Sequence, residues 1–352
     1  MHMADALLAP AVAATMYAAS AVTVGASVKT LRKDETTAKL PTMAVTSALV
    51  FAGQMINYTI PGTGSSGHLC GGMMLTALLG PQAGFLSMVV ILAIQALFFA
   101  DGGLLAVGAN CWNMAFYGCF VGYYLLWRPM MRSKLFGASR GAARAKITLA
   151  SILGCVLTLQ LGAFSVVLET TASGITELPF GAFVGIMQPI HLAIGLVEGL
   201  ITSAVLVFVY EARPELLMDV NAAGKDAGKY SLKTTLVILA VVVAIVGGGL
   251  SLFASGNPDG LEWSMFGNAE SGYSENMGLD EESYGVSSGA AEVAGSIQER
   301  TAFLPDYAFA DSDSAAGTSV SGLLGSAIVA GAAVLVCMAG GFFRKRKAAV
   351  NT

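Results

Sequence analysis

Long apolar runs separated by short polar stretches dominate this chain. The runs cover roughly 6–28, 41–60, 68–80, 82–99, 104–127, 147–168, 181–210, 231–253 and 319–343. A helix needs about 20 apolar residues to cross a bilayer, so the pattern predicts an all-α polytopic membrane protein. The third run is too short to cross as a straight helix. It begins in GTGSSGHLCGG and stops at Gly80-Pro81. Lipid cannot satisfy open backbone ends, so such a broken helix must be covered by protein or line a cavity. The pattern divides the chain in three. Residues 1–215 carry seven spans, 216–230 form a charged linker, and 231–352 hold two further spans around a polar stretch at 254–318.

Composition sharpens this picture. Apolar residues make up 55% of the chain and charged residues 12%, against about 25% charged in soluble domains. The 42 glycines suit close helix approach in a membrane. None of the five cysteines forms a C-x-x-C pair, so they read as small hydrophobes and not as a disulfide framework. Charge is unevenly placed: 18 of the 19 Lys and Arg fall in 29–40, 128–146, 211–233 and 344–347. With nine crossings these segments share one face, which the positive-inside rule makes cytoplasmic. The N-terminus, the GTGSSGHLC loop, the FADGG turn and 254–318 then lie outside, and the C-terminus inside. The expected location is the cell membrane of a prokaryote. The outer stretch 254–318 carries twelve acids and one base, Arg300, and would concentrate cations.

The start, MHMADALLAP, has no Lys or Arg before Lys29, unlike a secretory signal. His2 and His68 fall on the same outer side. A free terminal amine, the residue-2 amide and the His2 Nδ1 can close two fused chelate rings in one plane. His68 can fill the fourth corner. Four nitrogens in a square suit Ni(II) or Cu(II) over Zn(II) and Mg(II). Asp101 in the DGG turn reads as a turn residue or a ligand. Asn110 and Asn113, three apart, can bond behind metal ligands or simply across helices. His191 and Glu198, seven apart, share a helix face, and an intramembrane carboxylate marks a functional candidate or a helix clamp. There is no P-loop, HExxH or CxxC motif, so ATP hydrolysis would belong to a separate polypeptide.

The stretches MHMADALLAP, GSSGHLCGGMMLTALLGPQA and QALFFADGGLLAVGANCWNMAFYG resemble the M component (CbiM/NikM family) of energy-coupling-factor nickel/cobalt transporters, over roughly 1–215. NPDGLEWS and LPDYAF resemble the small N component, as in an M–N fusion. The resemblance implies a seven-helix module with the metal held by Met1, His2 and His68. It implies a transmembrane coupling component and cytoplasmic ATP-binding cassette ATPases as partners, beside membrane lipid and without nucleic acid. Asp259, Glu262 and Asp306 are either turn residues or cation contacts of the second module. The expected activity is Ni(II) uptake, with the ion as transported substrate and no catalytic cofactor. Co(II) uptake feeding cobalamin synthesis is the alternative. A membrane metal sensor or an intramembrane enzyme is the reading from another class.

Overall fold

The computed structural model describes residues 1–31, 33–134, 136–137, 139–220, 228–269, 276–279, 284–309 and 314–350, and for 33–38, 337 and 339–350 the backbone alone. Among the charges counted above, Arg32, Lys225, Glu270, Glu275, Asp280, Glu281, Glu282, Asp311 and Asp313 lie outside the described residues, as do the side chains of Lys33, Arg344, Lys345, Arg346 and Lys347.

The chain starts in an extended segment with one 3₁₀ turn at Asp5–Leu7, then enters α1 (Pro10–Thr30), where Pro10 occupies the first turn and loses no hydrogen bond there. Helix α2 (Lys33–Gln54) begins earlier and ends sooner than its apolar run, because Tyr58–Ile60 pairs with Ser65–Gly67 in a two-stranded hairpin, β1–β2. The short element α3 (Gly72–Leu79) is buried along its whole length. Gly71 precedes it at φ 83° and Gly80 follows it at φ 85°, both left-handed positions that favour glycine. Helix α4 (Pro81–Phe99) leaves Gly80 at once, again with proline in its first turn.

The next span is irregular. A single α turn, α5 (Val107–Asn110), widens into π-helical turns at Cys111–Val121 and Tyr123–Trp127 before α6 (Arg128–Arg132). Helices α7 (Arg140–Ala172) and α8 (Phe180–Ala212) form a long antiparallel pair. The second module supplies α9 (Leu232–Gly248), α10 (Gly260–Phe266), α11 (Gly289–Thr301) and α12 (Ala316–Val350). Among the described residues, six helical stretches are long and apolar enough to cross a membrane: α1, α4, α7, α8, Leu232–Phe253 and Ala316–Val336. The other three expected spans correspond to α2, whose first turns are charged, to the short α3, and to the α5–α6 run with its wide turns.

Small residues let these helices touch backbone to backbone. A Cβ added to Gly72 would lie 2.8 Å from Gly118 Cα, and one added to Gly322 would lie 2.0 Å from Gly247 O. The first contact locks α3 against the wide turns, the second α12 against α9. Helix α12 also packs on α2 and α4. The polar loops of the second module cap one end of the first: Ser66 N donates to Pro258 O at 2.8 Å, Val286 N to Ala6 O at 2.8 Å, and Gln298 Nε2 to Gly102 O at 2.8 Å.

Candidate metal centre

The N-terminal segment threads into that capped end and is held along its backbone. Asn110 Oδ1 accepts from Met3 N at 2.8 Å, and Met3 O accepts from Gly103 N at 2.9 Å. Asp5 Oδ1 accepts from Ala106 N at 3.1 Å. The anchor leaves no spare room, since a Cβ on Gly103 would sit 1.8 Å from Asp5 Oδ1. These bonds fix the first two residues in space.

Met1, His2 and His68 come together. The terminal amine lies 3.0 Å from His68 Nε2, and the His2 and His68 rings stack with centroids 5.1 Å apart at 21°. His68 Nδ1 lies 3.1 Å from Leu69 O. A carbonyl can only accept, so Nδ1 carries the proton and Nε2 presents its lone pair to the amine. Met1 is 6% exposed and His68 is 8% exposed. Asp259 of the second module completes the cluster: its Oδ2 accepts from the amine at 2.5 Å and lies 3.9 Å from His68 Nε2. Its Oδ1 accepts from Leu261 N and Glu262 N, while Glu262 Oε2 accepts from Asp259 N at 3.2 Å. Asp259 is thus both the N-cap of α10, in a reciprocal capping box, and the counter-ion of the chain start.

Asp101 faces the other ring: His2 Nδ1 lies 3.1 Å from Asp101 Oδ1. The αL residue Ala100, φ 55°, ends α4 and turns the chain into Asp101. Tyr307 and Gln95, which the sequence reading did not single out, converge here. Tyr307 OH donates to Asp101 Oδ2 at 2.5 Å and Gln95 Nε2 to Tyr307 OH at 3.1 Å. The signal for Tyr307 lay in the LPDYAF motif, one residue past Asp306. Asp306 and Tyr307 take successive positive φ values of 49° and 58°, a tight turn that stacks the Tyr307 ring on Phe99 at 5.0 Å. Asp306 lines, with His2, His68, Asp101, Asp259 and Glu262, a cavity of about 570 Å³.

Electrostatics follow from burial. Burial first, and then the terminal ammonium, lower the pKa of both His2 and His68 to about 3, so both rings are neutral at pH 7. Burial is the largest single influence on Asp259 and works to raise its pKa, but the adjacent ammonium, His68 and the hydrogen bonds to the carboxyl together outweigh it and hold the carboxyl below the usual range. Asp101 is raised by burial, which the Tyr307 hydrogen bond partly opposes. Asp306 is raised by burial and by the neighbouring Asp101.

The remaining candidates stand around this centre. Asn110 anchors Met3, whereas Asn113 donates to Glu169 Oε2 on α7 at 2.8 Å. Both also reach Met3, Asn113 Nδ2 lying 3.5 Å from Met3 Sδ, so the pair turns toward the N-terminal segment although the helix widens at Cys111. Glu198, 1% exposed, accepts from Cys70 N at 3.1 Å and Gly71 N at 2.9 Å. It clamps the loop carrying His68. His191 lies on the same face of α8, its Nδ1 bonded to Met187 O at 2.8 Å. Among the described residues, no cluster of three or more His, Cys, Asp or Glu side chains has a metal-holding arrangement. A metal here would need backbone nitrogens as donors.

Comparisons with known proteins bear on both modules. A family model described as the cobalt uptake substrate-specific transmembrane region, CbiM, matches residues 2–216, and the PDGLE domain model matches residues 233–340. A relative from Archaeoglobus fulgidus, named a putative fused nickel transport protein NikMN, is 34% identical over 332 residues, covering 94% of this chain and 95% of its own. The fused nickel transport protein NikMN of Rhodobacter capsulatus is 32% identical over 349 residues, covering 94% and 95%. A crystal structure described as a truncated transition metal transporter aligns with 60% of this chain and 99% of its own, at 32% identity and a TM-score of 0.49.

Proposed function

The chain belongs to the CbiM family of cobalt uptake substrate-specific transmembrane regions, with a PDGLE domain following in the same chain, and we propose that it is the substrate-binding membrane component of a nickel uptake transporter. The ion is captured by the Met1 amine, the Met1–His2 amide, His2 Nδ1 and His68 Nε2.

The observation that carries this reading is the 3.0 Å spacing between the amine and His68 Nε2. Two nitrogens at adjacent corners of a square, each about 2.0–2.1 Å from a metal, lie about 2.8–3.0 Å apart. The hydrogen bond therefore holds two donors at the spacing a planar ion needs. Capture swaps the shared proton for the ion. His2 must also turn its Nδ1 from Asp101 toward the amine, and the unpartnered Nε2 of that ring then faces elsewhere. Planar four-nitrogen ligation favours Ni(II); Co(II), with the same donors, is the second reading, favoured by the description of the matching family model.

The acid-lined cavity beside His2 is the approach route. Its acids attract a divalent cation, and its volume of about 570 Å³ admits an ion with its water shell, at about 30 Å³ per water. The basic end of the bundle lies at the other end of α4, about 28 Å away for 19 residues. There Lys39, Arg128, Arg132 and Asp219 line a second cavity of about 350 Å³. The positive-inside rule places that end in the cytoplasm and the metal centre outside. Transport is driven by a separate coupling subunit and ATPases.

The test is nickel bound per purified chain with its native start, against the same chain carrying two extra N-terminal residues. One extra residue would be a poor control, because histidine in third place forms a four-nitrogen chelate by itself. We expect one nickel in the native chain and none at that affinity in the extended one. Nickel retained at equal affinity by the extended chain would rule out the amine as a ligand.

A further inference from the structure

The seam of Met1, His68 and Asp259 has a space on each side. The large cavity holding His2 lies on one side. On the other is a small cavity of about 10 Å³, lined by Met1, His68, Asp259, Gly260 and His191 among others. His68 and Asp259 line both spaces. A volume of this size holds about one water, and so one small occupant.

His191 Nε2 is buried and has no hydrogen-bond partner, and the residue is 1% exposed. Its Nδ1 bonds to Met187 O at 2.8 Å, so Nδ1 carries the proton and Nε2 holds a bare lone pair. That is the arrangement of a metal-ligating imidazole, with one nitrogen fixed on a carbonyl and the other free to bind. Buried polar atoms without partners are rare enough to need a reason. The facing residue keeps the lone pair uncovered: a Cβ on Gly260 would come within 3.3 Å of His191 Nε2. Two helical turns on, Glu198 fastens the Cys70–Gly71 backbone, so α8 both presents the imidazole and positions the loop that carries His68.

We propose that His191 Nε2 is a second coordination point, which takes the ion over from the capture site and holds it in the small cavity with His68 as the shared ligand. The ion passes from the large cavity through the seam to this point, and His68, which lines both spaces, needs to move least. The inference rests on capture at Met1, His2 and His68, and adds a successive step to it.

The test compares full-length His191→Gln and Gly260→Ala, each with the native start, with the parent. Nickel bound per chain is measured on purified protein, and uptake of radioactive nickel in cells carrying the rest of the transporter. Both variants are expected to bind one nickel per chain while uptake falls about tenfold or more. Uptake within about twofold of the parent in His191→Gln overturns the proposal. So does loss of bound nickel in His191→Gln beside retention in Gly260→Ala, because His191 would then belong to the capture site. If His191→Gln does not fold, Gly260→Ala, which leaves every ligand in place, decides by the same uptake criterion. A direct readout uses Co(II) on the chain extended by two residues, where the planar chelate is gone. Residual Co(II) absorption that His191→Gln removes supports the second point, and absorption unaffected by that change refutes it. Failure of the capture reading shows separately, as a parent that binds no nickel.

Discussion

Nickel capture at this centre should release two protons, and the count follows from the structure. The pKa of both His2 and His68 is about 3, set by burial and then by the terminal ammonium, against about 6.5 for a free imidazole. At pH 6 both rings are already neutral and give up nothing to the ion. The amine donates to Asp259 as an ammonium, and the Met1–His2 amide carries its hydrogen. Coordination removes one proton from each. With unperturbed rings each imidazole would be about three-quarters protonated at pH 6, and the count would rise to about 3.5. Calorimetry at pH 6 in buffers of different ionisation enthalpy separates these values. The same count sets the slope of affinity against pH: about 100-fold weaker binding per unit of acidification. A release near 3.5 would refute neutral buried rings. A release of one or fewer would refute amide ligation, and the planar geometry with it. The count has an electrostatic corollary. A doubly charged ion enters as two protons leave, so Asp259 faces the same net charge before and after capture.

Asp259→Asn tests that corollary: the amide keeps the N-cap, since Asn caps as well as Asp, but removes the acceptor of the ammonium. Breaking a largely buried pair costs about 3 kcal/mol, read as a lower melting temperature, while nickel affinity should change by less than about tenfold; a larger loss of affinity would show that the carboxylate is itself a ligand. The metal-free protein should be acid-sensitive, because the folded pKa of His2 and His68 lies below the unfolded value. The unfolded chain then binds more protons, and stability is lost as pH falls from about 6.5 toward 3. Depressed Asp259 adds to this loss at lower pH and raised Asp101 opposes it, so melting scans from pH 7 to pH 4 should still fall, and a flat profile would contradict the burial argument. Gly103→Ala should abolish nickel binding without touching a ligand, because its Cβ would overlap Asp5 Oδ1 at 1.8 Å and push the N-terminal segment out of place; an unchanged nickel stoichiometry would show that the anchor is dispensable.

Much of the architecture was legible because a membrane enforces a simple code. Apolar runs marked the helices, and the short third run announced α3, which ends where Gly80 and Pro81 stop it. The pair His2 and His68 was legible from chelate chemistry and from the side of the membrane each falls on. Other features left no mark. In a uniformly apolar run, π turns and α turns have the same composition, so the widening at Cys111 was invisible. The apolar run at 41–60 continued past the end of α2 because Tyr58 and Ile60 suit a strand as well as a helix. Tyr307 was hidden by its neighbour: the charge on Asp306 drew the eye, while the phenol beside it reaches Asp101. Gln95 was a lone polar residue in an apolar helix, and its role depends on a partner 212 residues away.

The part played by Asp259 is the instructive case: the sequence offered a turn residue or a cation contact, and the structure shows the N-cap of α10 whose other oxygen meets the terminal ammonium. A D-x-x-E pattern before a short helix reads as a capping box, and it is one. A cap uses one carboxylate oxygen. The second oxygen is free to act, and here it meets the chain start 258 residues away. An ammonium taken out of water needs a counter-charge. Within the first module the nearest acid of the centre, Asp101, is turned to His2 and occupied by Tyr307. The charge that lets the amine sit beside His68 therefore comes from the second module. In the proposed capture site this gives a physical reason for the two modules to work together: the first would bring nitrogens to the ion, and the second would keep those nitrogens in place when the ion is absent.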